Sequence, residues 1–225
     1  MRIAISSTQC MGKTTLINDM LKEWPMYKKA DESYREKVKK DPTVKLNQEG
    51  DIESQVKIRD ALIDQAQQYD ENSNILFDRC ILDNLVYSLW LNFKGKADDN
   101  FMSKQITVIK EAFKFYDIIF FIPMSNKFPI DIVPAVDGTR DLDPTFREEI
   151  HNIMSSVVKN YYEPAEKRVF FPVEDCPAII DHVFGPRQER IEIIKLYLNK
   201  DGQQYGTDDS LIKEIPIDMN LNGQQ

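Results

Sequence analysis

Within Ser7-Thr8-Gln9-Cys10-Met11-Gly12-Lys13-Thr14 a glycine, a lysine and a hydroxyl fall at the spacing of a loop that wraps phosphate. The chemistry needs those types there. Backbone N–H groups at a helix start converge on an anion at the positive end of the helix dipole, a lysine neutralises the outer phosphates, and a hydroxyl reaches Mg2+. Cys10, Met11, Gly12, Lys13, Thr14 and Thr15 are therefore the candidate phosphate-binding residues, and Thr14 is a candidate metal ligand. Ser7 stands where the pattern has glycine, which is tolerable if the backbone there is ordinary. The competing reading is a chance Gly-Lys-Thr at a helix start. The flanks oppose it, because Ile3-Ala4-Ile5 reads as a strand and Thr15-Leu16-Ile17 opens a helix.

An acid and a base emerge together from a second apolar run, Ile75-Leu76-Phe77-Asp78-Arg79. In open α/β sheets ligands bind at the carboxyl edge of the strands, where these two residues fall. Asp78 can hold Mg2+ through water or accept the proton of an attacking hydroxyl; Arg79 can fork onto an acceptor phosphate. The bland alternative makes Asp78 a helix cap and leaves Arg79 solvated. A third polar cluster runs from Asp137 to Arg147. Arg140 and Arg147, seven apart, can close over a triphosphate as a lid spanning about 134–148. Arg147 can equally pair with Asp143 or Glu148 on a surface.

The elements that must position these groups are legible from period and punctuation. Apolar runs at Arg2–Ser6, Met26–Ala30, Asn74–Asp78, Asp117–Pro123 and Arg168–Val173 read as buried parallel strands. Helices are expected over Lys13–Trp24, Ile52–Tyr69, Leu82–Phe93, Met102–Phe115, Pro144–Tyr162 and Pro186–Asn199, the last two opening on proline. Strand and helix alternation means an α/β domain with a mostly parallel sheet. The segment Lys28–Gly50, charge-rich with little periodicity, reads as a mobile excursion on the substrate side.

At 225 residues the chain suits one domain over residues 1–200, followed by a tail, 201–225, with five acids against Lys213 and a loose attachment expected. Hydrophobic residues at 42% and aromatic residues at 10% provide a sizeable core and exclude a disordered chain. A formal charge of -8 argues against a broad duplex-binding face. Three separated cysteines support neither a disulfide framework nor a zinc site, and His151 and His182 stand without ligand spacing. The amino terminus turns polar at Ser6, too early for a signal peptide, and no apolar stretch spans a bilayer, so a cytoplasmic location without membrane contact is expected. Phe113, Phe115, Tyr116, Phe120 and Phe121 could pass for a base-stacking platform, but periodicity points most of them inward.

Together, Gly12-Lys13-Thr14-Thr15, the stretch Phe77-Asp78-Arg79-Cys80-Ile81-Leu82-Asp83-Asn84-Leu85-Val86-Tyr87, and Asp137-Gly138-Thr139-Arg140 with Phe146-Arg147-Glu148 resemble the P-loop nucleoside and nucleotide kinases, in particular their thymidylate-kinase-like and nicotinamide-riboside-kinase-like branches. The resemblance covers residues 1 to about 200. It implies a P-loop NTPase three-layer fold, with a five-stranded mostly parallel sheet and helices on both faces, and Mg2+-assisted transfer of the γ-phosphoryl group of ATP to a small acceptor. It also implies Asp78 near the transferred group, Arg79 on the acceptor side, Arg140 and Arg147 in the lid, and Asp83 and Tyr87 facing the acceptor. The sequence departs from the family at Ser7 and after the second strand, where Asp31-Glu32-Ser33-Tyr34-Arg35 replaces the Glu-Pro or Asp-Pro acceptor signature.

The expected catalytic set is thus Lys13, Asp78, Arg79, Arg140 and Arg147. Glu32, Arg35, Arg59, Asp83 and Tyr87 join Asp78 and Arg79 around the acceptor, and Thr14 with Asp78 serves the metal. A nucleoside monophosphate, a deoxynucleotide by preference, is the expected acceptor, because Arg79, Arg35 and Arg59 can supply charge for its phosphate. A nucleoside, or a hydroxymethylated base in DNA, would use the same donor chemistry, and a homodimer is compatible with it. The rival from another class is an ATP-dependent switch that controls a partner.

Overall fold

The computed structural model describes residues 1–31, 33–128 and 142–205. Five strands, β1 (Arg2–Ser6), β2 (Lys28–Lys29), β3 (Ile75–Asp78), β4 (Ile118–Phe121) and β5 (Ala178–Ile180), pair in parallel in the order β2-β3-β1-β4-β5. The central strand is the first in sequence. Its register sets Ile5 beside Asp78 on one side and Ser6 beside Phe121 on the other, so the carboxyl ends of three strands finish together.

Both sheet faces are covered, as the unbroken apolar runs require. Helices α1 (Lys13–Glu23) and α7 (Arg187–Lys195) bury Leu16, Ile17, Met20, Ile191 and Ile194 against Ile3, Ile5, Ile118 and Phe120. On the opposite face α3 (Ile52–Ala66), α4 (Ile81–Phe93), α5 (Asp99–Ala112) and α6 (Pro144–Tyr161) pack over Ala4, Phe77, Ile119 and Phe121. That is a three-layer α/β fold. Phe113, Tyr116, Phe120 and Phe121 are buried in these cores, so they are packing residues and offer no exposed platform. No helix among the described residues is long and apolar enough to cross a membrane.

Helix starts follow local chemistry. Asp51, Asp98 and Asp143 each accept a hydrogen bond from the backbone N–H three residues on, and Pro144 occupies the first turn of α6. Asp143→Ala should cost about 1 kcal/mol of stability by losing this cap. Denaturant unfolding measures it, and an unchanged midpoint would mean that the α6 start is held by other groups.

Two expectations are corrected. The fifth strand lies at Ala178–Ile180, not at Arg168–Val173. In the latter run the N–H groups of Val169 and Phe170 turn to the Asn160 side chain, Phe171 plugs between Phe113 and Tyr161, and Pro172 has no N–H to give a ladder. Alternation there reflects one buried anchor, with Val169 and Val173 left exposed. The Lys28–Gly50 stretch also holds a helix, α2 (Ser33–Lys40), which packs against α3, with Lys57 of α3 paired to Asp41 at 2.9 Å just beyond it. Packing rather than periodicity forms it.

Residues just beyond 200 return to the start of the chain. The Trp24 indole donates to Asn199 O, the Tyr27 hydroxyl to Gly202 O, and Leu198 bridges Gln204. The remainder of the acidic tail, from 206 on, lies outside the described residues.

Candidate active site

The turn from β1 into α1 is shaped by two residues in the left-handed region, Cys10 at φ 60° and Gly12 at φ 78°. Glycine adopts that conformation without penalty; cysteine does so at a cost, which the surrounding contacts must offset. With Gly12 capping α1, the N–H groups of the first helical turn face the loop's interior.

Lys13 closes the loop. Its Nζ donates to Ser7 O at 3.0 Å, Ser7 Oγ at 2.9 Å and Thr8 O at 2.9 Å, and the side chain is 7% exposed. Ser7 thus uses its hydroxyl where the pattern has glycine, holding the lysine that a phosphate would otherwise draw out. From β3, Asp78 turns to the same helix start and accepts a hydrogen bond from Thr14 Oγ1 at 2.7 Å. The cap of α4 is built by others: Asp83 Oδ2 accepts from the Cys80 N–H and from Ser6 Oγ, both at 3.0 Å. Asp78 is therefore aimed at the loop, and its rival role as a helix cap falls to Asp83.

Arg79, at φ 86°, is a bulky residue in the left-handed region, held by its N–H on Ile5 O and by its guanidinium 3.4 Å from Asp83 Oδ1. Such an outlier is kept only where neighbours over-determine it. Asp83 is 2% exposed and engaged on three sides, by Ser6 Oγ, the Cys80 N–H and the Arg79 guanidinium, and so presents no bare carboxylate. Tyr87, one turn along α4, packs on Phe146 with ring centroids 6.2 Å apart. The Cys80 thiol beside this cluster is fully buried, and burial pushes its pKa well up, so it is no nucleophile.

Arg147 is drawn in from α6. It is 5% exposed, its Nε donates to Gln9 O at 3.3 Å, and its own carbonyl accepts from Thr8 Oγ1 at 3.2 Å. The surface pairing with Asp143 or Glu148 does not form; Asp143 is the cap. Lys13, Thr14, Asp78, Arg79, Asp83 and Arg147 thus gather around one loop. Arg59 sits apart, on α3, where it bonds Gln105 and Asp60. Of Arg35 only the backbone, on α2, is described, and Glu32 and Arg140, with lid residues 134–141, lie outside the described residues.

Three features escaped the sequence reading. Gln9 is 4% exposed; its Oε1 accepts from Thr8 Oγ1 while its Nε2 finds no acceptor among the described residues. Arg190 of α7 donates to Met11 O at 2.7 Å and to Gly185 O at 2.9 Å. A cavity of about 490 Å3 opens beside the loop, lined by Gly12, Thr15, Lys127, Phe128, Gly185 and Arg190 among others. Gly185-Pro186 marked a helix start in the sequence, but an arginine one turn later reads as a surface residue until the fold brings it to the loop.

A family described as AAA domain matches residues 2–165. Among solved structures, the NadR protein in complex with NAD and AMP-PNP is 14% identical at TM-score 0.55, the match covering 86% of this chain and 48% of that one. The deoxyadenosine kinase from M. mycoides with dCMP and dCDP bound is 20% identical at TM-score 0.55, covering 86% and 96%. The same kinase with bound dATP gives 18% and 0.54. The likeness is one of fold, and this chain spans about half the length of the NadR chain. Comparison with curated protein sequences gives no match.

Proposed function

This chain belongs to the AAA-domain family, and we propose that it is an ATP-dependent phosphotransferase whose acceptor is a nucleoside monophosphate, a deoxynucleotide by preference. One observation carries the reading. The Thr14 hydroxyl, in the first turn of α1, and the Asp78 carboxylate, at the carboxyl end of β3, meet at 2.7 Å beside a lysine folded into a phosphate-type loop. Both are hard oxygen donors, the kind Mg2+ takes from protein while substrate phosphates and water complete its shell. They would hold the ion, which when bound supplies positive charge to the outer phosphates.

The remaining work belongs to the chain. Lys13 leaves its loop carbonyls for the phosphate oxygens, the α1 N–H groups grip the β-phosphate, and Arg147 adds charge from the α6 side. The bond between the γ-phosphorus and its bridging oxygen breaks, ADP keeps the electron pair, and an acceptor oxygen forms the new bond. A phosphate acceptor brings an oxygen already anionic, and Asp78 then serves the metal. A hydroxyl acceptor must lose its proton, and the Asp78 carboxylate is the base within reach. The cavity beside Gly12 gives the donor's nucleoside a place, with Lys127 and Phe128 on one wall and Gly185-Pro186 on another.

A nucleoside acceptor is favoured by a specific observation: Arg79 already faces Asp83, and Arg59 is engaged by Gln105 and Asp60. A kinase of that type, the M. mycoides deoxyadenosine kinase, has this fold and was seen with dCMP as product. The test is ADP release from ATP and Mg2+ in the presence of deoxynucleoside monophosphates, nucleosides or DNA carrying a hydroxymethylated base. Acceleration by monophosphates is expected. Acceleration by nucleosides or DNA alone would replace the acceptor, and hydrolysis that no acceptor accelerates would favour a switch that acts on a partner.

A further inference from the structure

Arg190 enters the phosphate loop from behind. It is 7% exposed, and its guanidinium lies between two carbonyl oxygens, Met11 O in the loop and Gly185 O in the turn that lines the adjoining cavity. Its Nη1 stands 3.4 Å from where a Cβ on Gly12 would be, so the charge presses directly on the residue that starts α1. Among the described residues no carboxylate forms an ion pair with it: burial pulls its pKa below the ordinary guanidinium value, and its neighbour Arg187 takes Asp19 instead. A buried charge hydrogen-bonded to neutral carbonyls is costly to the folded state, and an anion arriving beside it would offset that cost.

Resting on the phosphotransferase reading, we propose that Arg190 is an affinity-determining residue for the donor: its buried positive charge is the resident counter-charge of the triphosphate chain, and its fork ties the phosphate loop to the nucleoside cavity. The role is electrostatic and ground-state. Arg190 donates to backbone carbonyls of the site and not to reacting atoms, so it positions the loop and raises the local potential for a polyanion. It follows that the contribution depends on the ligand's charge: large for ATP and for inorganic tripolyphosphate, small for adenosine, which carries no phosphate.

Calorimetric titration of the full chain with ATP, tripolyphosphate and adenosine tests this, using wild type, Arg190→Met, which keeps bulk without charge, and Arg190→Lys, which keeps charge without the fork. Arg190→Met should weaken ATP and tripolyphosphate by about tenfold or more, the scale of one lost charge-assisted partner. Adenosine should change by less than about threefold, and Arg190→Lys should recover most of the anion affinity. The KM for the acceptor should stay unchanged. ATP binding by Arg190→Met within about twofold of wild type, in a folded protein, overturns the inference and leaves the phosphotransferase reading standing. Equal losses for ATP and adenosine also overturn it, because a purely structural strut would give them. If Arg190→Met fails to fold, Arg190→Lys decides by itself: anion affinity lost as severely as adenosine affinity rejects the charge. Wild type that takes up neither ATP nor tripolyphosphate ends both the inference and the reading beneath it.

Discussion

Lys13→Ala is expected to lower kcat/KM by about a thousandfold or more, the scale on which removing one preorganised charge from a reacting oxyanion acts. The lysine is buried at the loop, and its ammonium donates to Ser7 O, Ser7 Oγ and Thr8 O. Phosphate oxygens, bearing full charge, are better partners than carbonyls, so the side chain is positioned to exchange one set for the other. The substitution also leaves the Ser7 carbonyl short of a donor, while Thr8 O keeps the Ser7 hydroxyl, at a cost of about 1–3 kcal/mol in stability. Assays must therefore run well below the variant's thermal midpoint. A folded Lys13→Ala protein turning over within tenfold of wild type would remove the lysine from the chemistry.

Asp78→Asn should show a different pattern. Asparagine keeps an oxygen for Thr14 Oγ1 and matches the carboxylate in size, so the fold and the 2.7 Å contact survive. What would be lost, on the proposed reading, is the charge that serves the metal side or takes a proton, and kcat should fall by about a hundredfold to ten-thousandfold. ATP affinity should move by less than about threefold, because in the proposed reading the grip on the β-phosphate falls to α1 and Lys13. That split in kcat against binding marks a group whose contribution grows in the transition state. Near-normal turnover in Asp78→Asn would strike it from the mechanism, and an equal fall in both quantities would make it a binding residue.

The loop after β1 was legible in the sequence because its parts are local. Ile3-Ala4-Ile5, the loop and the start of α1 are one continuous stretch, and the constraint on Gly12 is a backbone constraint that one residue satisfies. Asp78 was legible for a related reason: an acid closing a wholly apolar run must surface at a strand's end. The fifth strand was not, because a run with one deeply anchored phenylalanine and two exposed valines imitates the strand period without entering the ladder. Helix α2 was missed because it is held by packing on α3, with the Lys57–Asp41 ion pair just beyond its end, and no window along the chain contains those contacts. The partition of the arginines was also invisible. Arg79, Arg59, Arg147 and Arg190 are the same residue type, yet Arg147 and Arg190 are buried against the loop while Arg79, between β3 and α4, pairs with Asp83 and Arg59 pairs with Asp60 of its own helix.

By itself, then, the order of residues determined a parallel α/β sheet with a phosphate-type turn after its first strand and an acid at the end of its third, since hydrophobic period and backbone conformation are properties of short segments. Only the tertiary structure decided which side chains meet that turn: that Thr14 finds Asp78, that Asp83 is spent on capping, and that an arginine 178 residues from Gly12 stands behind the loop. Those choices depend on which helix is laid across which sheet edge. Burial and the need to pair every buried polar group settle that for the chain as a whole, and no local pattern records it.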